Sequence, residues 1–301
     1  MAKVLKTISV LCLLILTATG CIDDDRGTCP PEQLVRLVFH YTAEGGQNVV
    51  DKYIGTANIA VFDSKGNLVD ALQVSKEQLL DPQGVLLPVK EAGEYSVVCW
   101  GNRGDNTEVT MGSSMETSTV QHPNYTNGTP VPTHDPLYYS LTSVTASQTE
   151  EVQGKTEFVC AYVGLDIYIK TPETTTRATA TPVVEVHNLT PQYDFRMNPV
   201  NPFSQTYYPQ TVFDTEKGLY AAHLNVLRFT DEENPTEIEI KDSGNGKTIY
   251  RMKLKEFMQA QEPPLSVAGN TEVRVPVLID CSGLNVTVTL PQWGSEDITP
   301  W

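Results

Sequence analysis

Apolar and polar residues alternate with a period of two over much of this chain. Val35, Leu37, Phe39 and Tyr41 are separated by Arg36 and His40, which predicts a strand with one buried face. Ile59 to Phe62 reads as a second strand. The turn Asp63-Ser-Lys-Gly-Asn67 then leads into a third over Leu68 to Val74, with Gly66 free to take positive φ. Ser75 to Leu80 predicts one short helix, because Ser75 and Gln78 stand at capping-box spacing. Glu94 to Asn102 is another strand. From Thr107 to His134 the period vanishes and Ser, Thr, Asn, Pro and Gly dominate, so a long loop is expected. Order returns at Leu137-Tyr-Tyr-Ser-Leu141.

A second strand-rich stretch opens at Thr156 to Thr171, where Val163, Leu165, Ile167 and Ile169 alternate with Asp166, Tyr168 and Lys170. Strands are expected over Val183–Leu189, Tyr220–Phe229, Thr236–Lys241, Thr248–Leu254, Glu272–Asp280 and Leu284–Leu290. Gly244-Asn-Gly246 would close the hairpin between two of them. Lys253 to Ala260 is the fair helix candidate of this stretch. Many short strands punctuated by turn residues predict an all-β fold of antiparallel sandwiches, not a parallel α/β sheet. The break in pattern near residues 145–155 divides the chain into a domain over 34–150 and a second over 151–301.

The first 33 residues carry a different pattern. Lys3 and Lys6 precede an apolar run from Ile8 to Ala18, and small residues lead to Gly20-Cys21. The run is short for a membrane span and has the order of a secretory signal, residues 1–20. Ala18-Thr-Gly-Cys21 resembles a lipobox, although Leu is commoner at the position of Ala18. Cys21 would then be diacylated and become the first mature residue, holding the protein to a membrane by lipid rather than by a helix. The alternative is an ordinary cleaved signal. Asp23, Asp24 and Asp25 sit in the tether, residues 21–33.

The whole chain has 37 acidic against 21 basic residues and a formal net charge of −16, and loss of Lys3 and Lys6 would deepen it. Nucleic acid and anionic headgroups repel such a surface. Of six cysteines, Cys12 lies in the signal and Cys21 is the lipid site. Cys29, Cys99, Cys160 and Cys281 remain, an even number in an exported chain, so two disulfides are expected. Three connectivities are open. Cys29–Cys99 with Cys160–Cys281 is favoured because each pair would lie within one predicted domain. No His stands at ligand spacing to these cysteines, which argues against zinc.

No enzymatic constellation emerges. A Gly-x-Ser-x-Gly elbow and a phosphate-cradling glycine loop are both missing from the sequence, and the five histidines are scattered without a His-Glu-x-x-His. His134-Asp135 reads as a turn. No catalytic residue, metal ligand or cofactor is assigned. Trp100 reads as core packing; Trp293 and Trp301 look exposed and could stack on sugars, so a surface glycan-binding lipoprotein is the alternative reading.

Several pieces, in order, resemble one family. They are Cys21 with its acidic followers, Thr28-Cys-Pro30 leading into Val35–Tyr41, and Ile59-Ala-Val-Phe-Asp63 with the Gly66 turn. Tyr95-Ser-Val-Val-Cys-Trp-Gly-Asn102, Asp135-Pro-Leu-Tyr-Tyr139 and Tyr193-Asp-Phe195 follow. Together they are similar to the lipid-anchored accessory and anchor subunits of Bacteroidales type V fimbriae, the FimB-type anchors. The resemblance implies two tandem transthyretin-like β-sandwich domains and no enzyme activity. It also implies a place at the outer membrane, facing outward, since acidic residues after the lipidated cysteine resemble a surface-export signal. The partner it implies is a fimbrial shaft subunit, joined by strand exchange, a form of β-augmentation. Asn285 to Trp301 is the candidate donated strand, with Trp293, Ile298 and Trp301 as anchors. Pro291, Pro300 and Gly294 limit continuous pairing, and Val286–Leu290 could instead be a core strand of its own domain. An anchor would keep its N-terminal strand, because cleavage would sever the lipid.

Overall fold

In the computed structural model the described residues are 35–172 and 181–292. The first strands are β1 (Val35–His40), β2 (Thr56–Asp63), β3 (Leu68–Ser75), β4 (Val85–Leu86), β5 (Gly93–Gly101), β6 (Glu108–Thr110), β7 (Thr119–Gln121), β8 (Tyr138–Ala146), β9 (Val152–Glu157) and β10 (Val159–Cys160). Two short helices, α1 (Val50–Tyr53) and α2 (Lys76–Leu79), lie among them. Next come β11 (Tyr162–Lys170), β12 (Pro182–Leu189), β13 (Gln192–Asp194), β14 (Pro199–Val200), β15 (Gln205–Tyr207), β16 (Thr211–Asp214), β17 (Leu219–Leu227) and β18 (Glu237–Asp242). The chain continues through β19 (Thr248–Lys253), α3 (Leu254–Gln259), β20 (Arg274–Asp280) and β21 (Thr287–Thr289).

The sheet β10-β8-β5-β2-β3 is buried on both faces. Ile59, Val61, Val97 and Cys99 point into a core shared with the sheet β4-β1-β9. Their neighbours Ala60, Phe62, Val98 and Trp100 point into a second core under the sheet β14-β13-β7-β6. Burial on both faces explains why β2 and β5 read as continuous apolar runs while β1, buried on one, alternates. A third core lies between β16-β17-β11-β20-β21 and β15-β12-β18-β19. Its clean alternation over Val163–Ile169 follows from one apolar face.

Local chemistry sets the joints. Asp63 accepts from the Lys65 and Asn67 amides at 2.9 and 2.8 Å, and Gly66 has φ +81°, which closes the β2–β3 turn. Ser75 and Gln78 form the expected capping box on α2. Arg228 donates to the carbonyls of Cys160, Tyr162, Thr271 and Val267, tying the end of β10 to the loop before β20.

Three expectations change. The stretch 107–134 is not one long loop: β6 and β7 lie in it and pair with each other, and β7 pairs with β13, far along the chain. Three-residue strands rich in Thr are too short to show a period. The strand expected over 156–171 is broken into β9, β10 and β11, and β9 and β10 join β1 and β8. Pairing therefore passes to the later sheets only at Tyr162. Among the described strands two pairings are parallel, β1 with β9 and β11 with β20. Each joins strands far apart in sequence, so no hairpin signal marks them.

Candidate assembly surfaces

β1 is enclosed within the first core. Val35, Leu37, Phe39 and the following Tyr41 are all at most 1% exposed. β1 pairs with β9 along its whole length and with β4 on its other side. Phe39 stacks on Phe158 with ring centroids 6.0 Å apart. Gly84 lets the preceding turn close on β1, because a Cβ there would stand 2.8 Å from the Leu37 carbonyl oxygen. Asn48 caps the strand's end, accepting from the Tyr41 amide and donating to the Phe39 carbonyl, both at 3.0 Å. The Tyr41 hydroxyl then donates to Glu272 Oε1 at 2.8 Å. β1 fills the groove between β4 and β9 with its own side chains.

The later core has an open side. Among the described residues β19 ends one of its sheets and β21 ends the other. Between them is a cleft of about 420 Å³ walled by Tyr250, Met252, Phe257 and Val288. Charged groups form its rim: Arg251 Nη1 is 3.6 Å from Glu237 and Lys253 Nζ is 2.8 Å from Glu256. The edge of β19 thus carries alternating cations, a common protection of an unpaired strand. Sequence reading gave these residues no role. The signal was there: Arg251 and Lys253 alternate with Tyr250 and Met252 directly after the Gly244-Asn-Gly246 turn.

Two charge clusters cover the outer faces of the same sheets. On β12 and β18, Glu185, His187 and Glu239 have ligand-type atoms within 4.8 Å of one another. Lys241 at 2.8 Å from Glu185 and Arg251 at 2.6 Å from Glu239 already balance the carboxylates. Burial opposes ionisation of Glu239, but hydrogen bonds from Thr248, Arg251 and His187 outweigh it and hold the carboxyl near about 2. On β11, Asp166 receives Arg274 Nε at 2.7 Å and His223 Nδ1 at 2.5 Å. Burial again opposes ionisation, and these two partners bring its pKa down to about 2.

His134 is not in an exposed turn. It is 1% exposed, next to His122 and Tyr207, and burial with the nearby His122 pushes its pKa down to about 3. His122 Nδ1 accepts the Asn124 amide at 2.9 Å, so its Nε2 carries the proton and offers no lone pair to a metal. Both rings are neutral core groups.

Of the expected site residues, Cys21, Cys29, Trp293, Ile298 and Trp301 lie outside the described residues. Cys99, Cys160 and Cys281 are free thiols. The expected Cys160–Cys281 disulfide is corrected by the register. Cys160 hydrogen-bonds to Asn270 and Cys281 to Lys170, at opposite ends of the β11–β20 pair. At about 3.3 Å per residue the two are some 30 Å apart, far outside disulfide reach. Burial pushes the Cys99 and Cys160 thiols up to about 12. The candidate donated segment is also partly corrected: Thr287–Thr289 pairs with β20 of its own sheet, and Val286, Val288 and Leu290 pack on that sheet's core.

Layered β-sheets, a filled first groove and an open later edge define an all-β sandwich protein whose distinctive features are sheet edges rather than a reaction centre. Among the described residues no helix is long and apolar enough to cross a membrane. The chain belongs to the fimbrillin-A associated anchor proteins Mfa1 and Mfa2, whose family model matches residues 27–299. These are structural proteins of fimbriae and not enzymes. Its fold is similar to that of the fimbrial anchor protein Mfa2 from Porphyromonas gingivalis, at 14% identity, TM-score 0.61, 85% of this chain and 94% of that one. A Bacteroides ovatus protein described as an adhesin matches at 15% identity, TM-score 0.68, with 87% and 93% covered. A Bacteroides thetaiotaomicron protein described as polysaccharide-binding matches at 10% identity, TM-score 0.66, with 83% and 91% covered. No curated protein matches the chain.

Proposed function

We propose that this protein is the lipid-held end of a fimbrium, attaching the fibre to the outer membrane through Cys21 and stopping its growth. Membership of the anchor family supports a fimbrial role at the cell surface or envelope. The observation that carries the termination step is the seat of β1. A subunit that accepts a neighbour's strand needs an empty groove, and here β1 occupies the groove between β4 and β9 with its apolar face fully buried. Because β1 lies only 14 residues after Cys21, a lipid on that cysteine and an intact β1 go together. The protein can then give a strand but not receive one, and the chain beyond Leu290 is the segment it would give. We further take the regions 34–150 and 151–301 as tandem transthyretin-like sandwiches.

Mild crosslinking of cell envelopes tests this, comparing the wild type with Cys21→Ser and with a chain ending at Leu290. The wild type should recover a fimbrial shaft subunit from the outer membrane. Cys21→Ser should release the complex into the soluble fraction. Loss of the subunit from the shortened chain supports strand donation; its retention moves the interface elsewhere. No fimbrial subunit under any condition would overturn the anchor reading.

A further inference from the structure

We propose that Trp293–Trp301 docks in cis on the cleft between β19, α3 and β21 while the subunit is free. The cleft lies where the described chain ends. Val288 is one of its walls and Leu290 packs on the same core, so Trp293 follows five residues after a wall of the cleft. The reach is sufficient: nine extended residues span roughly 30 Å, and the six residues of β19 span about 20 Å. Pro291 and Pro300 bracket Trp293–Thr299, a proline-free window of about the length of the open edge, as a ladder requires.

The chemistry matches as well. Tyr250, Met252, Phe257 and Val288 make an apolar floor, and the segment carries Trp293, Ile298 and Trp301. A cleft of about 420 Å³ is in the range of pockets that seat small apolar groups, about 300–1,000 Å³, so it can hold an indole. At the rim, Arg251 and Lys253 are paired with Glu237 and Glu256. Glu296 and Asp297 would share those cations, adding little, and the apolar anchors supply the affinity. A segment kept on its own subunit would be shielded from unwanted pairing until a partner competes for it. The docking stands whether or not the segment is later donated.

Hydrogen–deuterium exchange on the full mature chain in detergent tests it, against a chain ending at Gln292 and the point variants Trp293→Ala and Ile298→Ala. Amides of Thr248–Lys253 should exchange at least about tenfold faster in the shortened chain, with a partial rise in each point variant. Amides of β2 and β5 should be unchanged in all of them, which reports an intact fold. The difference should not depend on protein concentration. Equal exchange of β19 in the full and shortened chains would overturn the proposal. So would protection that grows with concentration, because the segment would then belong to a second copy. The point variants keep the test decisive if the shortened chain misfolds. Failure of fimbrial co-purification would remove strand donation and leave this result untouched.

Discussion

β1 and β19 are both six-residue strands, and the molecule treats them in opposite ways. β1 is central, paired on both sides, and buries Val35, Leu37 and Phe39 completely. β19 is an edge, paired only with β18 among the described residues, and Ile249 is 44% exposed. Both strands alternate an apolar inner face with outward positions, but in β19 the outward positions beside Tyr250 and Met252 are the exposed cations Arg251 and Lys253, whereas in β1 the outward positions are half-buried. Exposed cations on an edge strand resist a stray partner. For the fibre-ending role proposed above, one closed groove and one guarded edge are the two properties that matter.

The largest effect should come from breaking the closed side. Phe39→Ala removes a fully buried ring stacked on Phe158, and is expected to cost about 3–5 kcal/mol. Urea unfolding measures it. A loss below about 1 kcal/mol would mean that β1 leaves its seat easily, and the termination argument would fail with it.

Asp166→Asn leaves Arg274 without its carboxylate on a mostly covered face, and should destabilise by roughly 3 kcal/mol. Asp166 has a folded pKa lowered to about 2, so its stabilisation is present above the ordinary carboxylate range and disappears as pH falls through about 2. Thermal unfolding of the wild type and Asp166→Asn should therefore converge at about pH 2 and separate at neutral pH.

The fold class was legible because the long strands carry their faces in the sequence. Val163–Ile169 alternates over one core and Ser96–Trp100 does not, because both of its faces are buried. What was not legible depends on distant partners. Val120 faces Tyr193, a pairing across more than seventy residues with three-residue strands on each side; local pattern cannot announce it. Cys160 and Cys281 were paired by domain membership, and only the β11–β20 register puts them at opposite ends of one ladder. The cleft was missed for a related reason: its walls are four separate elements, brought together by two sheet ends. Cys21 and the Trp293–Trp301 segment lie outside the described residues, so their roles still rest on sequence and family.

His134 extends the comparison to the middle of the chain, where polar sequence concealed a buried group. Its folded pKa is lowered to about 3, with burial as the main cause and His122 beside it adding to the effect. A histidine that resists protonation when folded binds a proton more readily when unfolded. Stability is therefore undiminished above the ordinary histidine range and falls as pH drops below it. Between pH 7 and pH 5 the loss should be about 2 kcal/mol. In His134→Phe the pH slope should shrink, whatever the substitution does to stability at pH 7, and denaturant titrations at the two pH values measure both. An unchanged slope would assign the acid sensitivity to other groups.

The smallest effects are expected at the open edge, and they sharpen the contrast most. Glu256→Ala removes the partner of Lys253 from an exposed pair, both side chains more than 60% accessible, and should change stability by less than about 0.5 kcal/mol. Ile249→Ala at the same edge should fall in the same range. Lys253→Ile should also leave stability nearly unchanged but alter association, because it removes a cation from a strand whose outer backbone groups face no neighbouring strand among the described residues. Sedimentation at rising concentration should show self-association in this variant and not in Lys253→Arg, which keeps the charge. If Lys253→Arg associates as strongly as Lys253→Ile, charge is not what guards the edge. If neither associates even in a chain ending at Gln292, the cleft geometry alone is sufficient to keep β19 unpaired.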